Sequence, residues 1–130
     1  MVDTQTIRQF IDRYPEMVSK GDVDGILERY AEDATLEDPI GSELRRGKAA
    51  IREFYQASAG TIVMKRSGAV RVAGNEAATP LVVVMGADGQ QQALDIISHM
   101  VFDAENRVTS MRAFWSFDAM RPATPEDLAR

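Results

Sequence analysis

The sequence predicts an α+β protein in which helices come first and an antiparallel sheet follows. Three observations carry that prediction. Through Tyr55 the apolar residues recur at three- and four-residue steps, as on one face of a helix. From Thr61 onward they alternate with polar residues, as in half-buried strands. The alternating runs are separated by the turn-rich pieces "AGNE", "GADGQ" and "DAEN".

In the first helix Ile7, Phe10, Ile11, Tyr14, Met17 and Val18 share one stripe, with Thr4 or Thr6 available near its start. Tyr14 therefore faces the interior. Pro15 removes an amide hydrogen bond at a cost of about 3 kcal/mol, so a kink or early break is expected there. "SKGD" makes the turn, Asp22 is a good N-cap, and Val23, Ile26, Leu27 and Tyr30 form a second, shorter helix. "ATLEDPIG" follows as a short extended piece, because Pro39 disfavours helix at Asp38. A third helix starts after Gly47 with Ile51, Phe54 and Tyr55 inward. The strands are "TIVMKRS", "AVRVAG", "PLVVVMG", "QALDIISHMVF" and "RVTSMRAFWSF". The tail, about residues 121–130, is polar and bears prolines, and is expected on the surface or mobile.

The chain's 130 residues fit a single domain, 1–130. A formal net charge of −5 gives no broad positive field for phosphate backbones, so nucleic acid is not an expected partner. There is no cysteine and only one histidine, His99, which removes disulfides, thiolate nucleophiles, Cys- or His-rich metal sites and any histidine triad. No metal is expected, since a carboxylate-only site has no supporting spacing. No run approaches the roughly 18 apolar residues of a membrane span. A soluble, cytoplasmic protein is the expectation.

Alternation assigns faces. If Leu81, Val83 and Met85 face the helices, so do Leu94, Ile96, Ser98, Met100 and Phe102, while Asp95, Ile97 and His99 point away. On the last strand Met111, Ala113, Trp115 and Phe117 share one side. Helices and sheet then enclose an apolar cavity with few polar atoms: Tyr14, Asp38, Ser98, and those of Tyr30, Tyr55 and the Trp115 indole.

A carboxylate beside such a cavity gains a raised pKa and becomes a better proton acceptor at neutral pH. Asp38 fits that role, and equally the simpler one of opening an Asp-Pro turn. Glu32 and Asp33 belong to a solvated helix end, and Glu37 alternates outward. Tyr14 reads as a core tyrosine or as a donor to a ligand oxygen. Ser98 reads as a tolerated small polar residue and not a nucleophile, because no histidine on its face activates it. Tyr30 and Tyr55 read as core, with a role in bonding Tyr14 as the alternative. His99 suits the surface or a subunit contact. Arg45, Arg46 and Lys48 read as solvated charge before anion binding.

The segments "RYPEMVSKGDVDGILERYAEDATLEDPIG", "RGKAAIREFYQ", "ALDIISHMVFD" and "MRAFWS" resemble the bacterial ketosteroid isomerases, the steroid Δ5-isomerases of the NTF2-like superfamily. The resemblance covers nearly the whole chain. It implies a cone of three helices packed in a strongly curved antiparallel sheet, a homodimer through the outer sheet face, and no cofactor. It implies Asp38 as general base, Tyr14 as main oxyanion donor, and Tyr30 and Tyr55 as the tyrosines bonding behind it. Phe54, Leu81, Val83, Met85, Met111, Ala113 and Trp115 match pocket positions, and Val18 and Met100 join them on the inner faces assigned above. The implied reaction converts 3-oxo-Δ5-steroids to 3-oxo-Δ4-steroids by intramolecular proton transfer.

One departure stands out. The family's second oxyanion donor is a protonated aspartic acid, and Ser98 occupies its place; losing one such donor costs roughly 10²–10³ in kcat. Ser98 is expected to substitute in part. Two other classes compete: a noncatalytic binder of steroids or other apolar ligands, and an NTF2-like dehydratase or epoxide hydrolase. Dehydratases of that kind use a His–Asp pair inside the cone, whereas His99 is expected outside. The hydrolases use acidic and basic residues together, and no buried arginine is expected in the cavity.

Overall fold

The computed structural model describes residues 2–129. Helix α1 (Thr4–Lys20) is capped by Asp3, whose side chain accepts from the Gln5 amide, and not by Thr4 or Thr6. It runs unbroken through Pro15, against the expected break. Tertiary packing offsets the lost amide: Tyr14, Pro15 and Val18 are all buried, and Ser19 Oγ, which donates to the Pro15 carbonyl, also accepts from the Met64 amide at 2.8 Å. Gly21 closes α1 in the left-handed conformation, at φ 69°.

Asp22 caps α2 (Val23–Glu28) through the Gly25 amide, as the sequence predicted. Tyr30 lies outside that helix and opens strand β1 (Tyr30–Glu37). The helix ends at Arg29, whose carbonyl accepts from the Val108 amide at 2.7 Å and so commits the chain to the sheet. Glu32 and Asp33, exposed as expected, therefore sit on a strand and not at a helix end. After β2 (Arg45–Arg46) comes α3 (Gly47–Ser58), with Ile51 and Tyr55 buried.

Strands β3 (Ile62–Arg66), β4 (Arg71–Ala73), β5 (Glu76–Met85), β6 (Gln92–Phe102) and β7 (Val108–Phe114) complete the body. The sheet runs in the order β2-β1-β7-β6-β5-β3, with β4 also on β5. It is curved and unclosed, and it is mixed, because β1 lies parallel to β7. Alternation reveals which way a side chain points, but not the direction of pairing between strands joined by most of the chain. The β5–β6 register pairs Leu81 with Ile96 and Val83 with Leu94, so both strands send these residues to the helix side. Val82, Val84 and Ala93 form a small separate cluster on the other face.

The tail is on the surface and is tied down. A 3₁₀ turn (Phe117–Ala119) leads to β8 (Arg121–Pro122) on β6 and to α4 (Pro125–Leu128). The Arg121 guanidinium donates to both oxygens of Asp95, at 2.9 and 3.0 Å, and to Asp127 at 2.6 Å. No helix among the described residues is long and apolar enough to cross a membrane.

Candidate active site

Between the helices and the concave sheet lies a cavity of about 300 Å³. α1 contributes Tyr14 and Val18, α3 contributes Phe54, Tyr55, Ala57 and Ser58, and β3 contributes Ile62 and Met64. Val83 and Met85 of β5 and Leu94 and Ile96 of β6 form the sheet wall. Asp38, Arg45, Trp115, Phe117 and Met120 complete the lining. A larger open groove of about 900 Å³ lies on the outside, between α1, β3 and the tail, and contains neither Tyr14 nor Asp38.

The three tyrosines form a chain of hydroxyls. Tyr55 Oη stands 2.7 Å from Tyr14 Oη and 2.7 Å from Tyr30 Oη, so it links a cavity-lining phenol to one wholly enclosed behind it. Burial pushes all three phenols above their ordinary range, so they stay neutral donors at physiological pH. For Tyr14 the Asp38 charge adds to that rise, while the bond from Tyr55 opposes it. Proton counting gives the chain its use. Three hydroxyl protons serve two internal links; if Tyr30 donates to Tyr55 and Tyr55 to Tyr14, the Tyr14 proton is left for a ligand oxygen.

Asp38 follows β1 directly, before Pro39. Removal from water is the main influence on its carboxyl and raises its pKa, while the Trp115 indole N–H, which donates to Oδ1 at 2.5 Å, pulls it back. The result is a half-buried carboxyl with a fixed hydrogen-bond donor at one oxygen. Its neighbour Glu37 accepts from the Gly41 amide at 2.8 Å and sits 3.5 Å from Arg112 on the outside. His99 is also outside, 2.7 Å from Glu76.

The sequence-derived residues separate into two groups. Asp38, Tyr14, Tyr55, Val18, Phe54, Val83, Met85 and Trp115 meet at the cavity, with Tyr30 one hydrogen bond behind. Leu81, Met100, Met111 and Ala113 share the inner face but are packed into the core and do not line the cavity. Alternation gives a face and cannot say where packing ends and open space begins. Ser98 is buried and also off the lining, two residues past Ile96 on the same strand.

Arg45, which reads from the sequence as solvated charge, is half-buried and lines the cavity, although no arginine among the described residues is buried there. Its register partner on β1 is the buried Leu36, and its guanidinium carbon stands 5.6 Å from the Phe54 ring centroid. A two-residue strand is too short for alternation to show this. β7 ends at Phe114 and does not continue through Phe117 as expected; the turn that follows brings Phe117 and Met120 to the cavity and sets the Phe117 ring edge-on to Trp115, at 4.9 Å. Among the described residues no three His, Cys, Asp or Glu side chains converge as a metal site.

An open mixed sheet wrapped around helices, enclosing one small apolar space, is the architecture of the NTF2-like superfamily. The SnoaL-like domain family matches residues 11–111. A steroid Δ-isomerase of Nocardioides simplex is 44% identical over 110 residues, covering 85% of this chain and 89% of that protein. The chain belongs to the SnoaL-like family and, within the NTF2-like superfamily, to the bacterial ketosteroid isomerases. Epoxide hydrolase LasB of Streptomyces lasalocidi is 29% identical over 75% of this chain and 43% of its own length. The solved structure of SalBIII, described as an epoxide hydrolase/cyclase-like enzyme in pyran ring formation in the polyether salinomycin, superposes with a TM-score of 0.82 at 27% identity. That alignment covers 95% of this chain and all of that one.

Proposed function

We propose that this isomerase converts 3-oxo-Δ5-steroids to 3-oxo-Δ4-steroids, with Asp38 as base and Tyr14 as oxyanion donor. The carrying observation is that a half-buried carboxylate and a phenol backed by two further tyrosines share one apolar cavity. The Asp38 carboxylate removes the C4 proton, and the electron pair moves through C3 onto the 3-oxygen. Tyr14 donates to that oxygen as charge develops on it. The carboxylic acid then returns the proton to C6, the C5–C6 double bond moves to C4–C5, and the base is restored. No electron is gained or lost, and no cofactor is required. In this reading Tyr30 and Tyr55 hold Tyr14, while Val18, Phe54, Val83, Met85 and Trp115 bound the ligand. Ser98 supplies part of the second oxyanion bond, and unchanged kcat in Ser98→Ala would remove it from that role.

We further propose a cytoplasmic homodimer joined through the outer sheet face. Ile97 and Phe114, 43% and 49% exposed on that face, support this. The test of function is the ultraviolet absorbance of the conjugated enone when purified protein meets a 3-oxo-Δ5-steroid. Conversion by the wild type, lost by roughly 10²–10⁴ in Asp38→Asn, is expected for an essential base. Tight steroid binding without conversion would instead assign a noncatalytic binder. Arg45 on the cavity wall favours one second reading, epoxide hydrolysis with Asp38 and Arg45 placing water; turnover of an epoxide in place of the steroid would select it.

A further inference from the structure

We propose that Thr79 is a positioning residue that acts with Ser98 as a hydroxyl pair on the inner sheet face, turning the Ser98 proton toward the ligand oxygen. This rests on the isomerase reading above and extends it to a residue outside the cavity lining. Thr79 and Ser98, 3% and 4% exposed, are the buried polar side chains besides the three tyrosines among the described residues. They face each other across β5 and β6. Each lies two residues past a pair on the same inner face, Leu81 with Ile96, and Ile96 lines the cavity. Two strand residues advance about 7 Å, so the hydroxyls stand just beyond the cavity wall.

Thr79 Oγ1 is wholly buried and has no hydrogen-bond partner. Valine has the same shape without the unmet hydroxyl, so packing alone favours valine at this position. Around the pair the inner face is apolar: Ala77 and Leu81 lie along β5, Met100 along β6, and Ala113 faces Ser98 from β7. Ser98 therefore has Thr79 as its polar neighbour across the strands. Directly opposed residues hold their Cβ atoms about 5 Å apart, within which a rotamer change brings two hydroxyls to bonding distance. When Thr79 donates to Ser98 Oγ, the Ser98 proton is free to point at a ligand oxygen. Thr79 then orients and polarises the Ser98 donor.

The test compares wild type, Thr79→Val, Thr79→Ser, Ser98→Ala and Thr79→Val with Ser98→Ala. Steroid turnover is measured together with the ultraviolet spectrum of bound 2-naphthol, whose ionised fraction reports donors around an oxyanion. Thr79→Val is expected to lower kcat about tenfold with KM nearly unchanged and to lower the ionised fraction of the naphthol. Thr79→Ser should restore both, and Thr79→Val should add no loss once Ser98 is alanine. The proposal is overturned if Thr79→Val matches wild type, if Thr79→Ser is as impaired as Thr79→Val, or if the loss persists in full beside Ser98→Ala. Should Thr79→Val not fold, Thr79→Ala takes its place with the same expectations. A wild type that converts no 3-oxo-Δ5-steroid ends the isomerase reading, while the naphthol spectra still decide the hydroxyl pair.

Discussion

At Asp38 the needs of folding and of chemistry oppose one another. Its folded-state pKa is raised above the ordinary 3.8 by burial. The folded protein therefore holds a proton that the unfolded chain releases, and stability present below that ordinary value is lost as pH rises through the folded pKa. Asp38→Asn removes this cost at neutral pH, so it should raise Tm while abolishing turnover; calorimetry on the same preparations used for kinetics checks both. Trp115 acts in the opposite direction. Its indole N–H favours the ionised carboxylate, so Trp115→Phe should move the acid limb of the kcat/KM profile to higher pH, and an unmoved limb would mean that the bond does not tune the base. The sequence could offer Asp38 as base and as turn opener alike, because nothing local distinguishes the two. The structure adds the Trp115 indole N–H, brought to the Asp38 carboxyl by the pairing of β1 with β7, and that contact supports the proposed base.

Among the elements, α1 and its ending carry the most weight, since α1 supplies Tyr14. Gly21 stops the helix with φ 69°, and a Cβ added there would meet Ala59 Cβ at 3.1 Å. Gly21→Ala should cost about 1–2 kcal/mol for the left-handed backbone alone, read as a lower denaturant midpoint at unchanged slope. Most elements were legible: the helical stripes, the Asp22 cap, and β6 as the full run "QALDIISHMVF". The misread places share a cause, which is tertiary contact overriding local preference. Pro15 is tolerated because its surroundings are packed, and Tyr30 joins a strand because β7 is there to pair with it. The polar tail lies on the surface, as its composition predicted, and is held there by Arg121 between Asp95 and Asp127.

For the whole molecule, helix-then-sheet order was enough to predict α+β architecture, whereas cavity extent was not. Face assignment placed Leu81, Met100, Met111 and Ala113 correctly inward, yet along β6 the open space ends at Ile96 and the residues beyond are packed core. Arg45 reached the wall through the short β2 pairing, which no periodicity could announce. The outer face makes its own prediction: Ile97→Asp should shift the protein from dimer toward monomer in sedimentation, and a monomer at all concentrations in the wild type would exclude the proposed assembly. The most direct measurement concerns the proton itself. With isomerisation run in D₂O, carriage by a single shielded carboxylate predicts product molecules that retain protium at C6, delivered from C4. Complete deuteration at C6 would contradict it and leave Asp38 without its role as carrier.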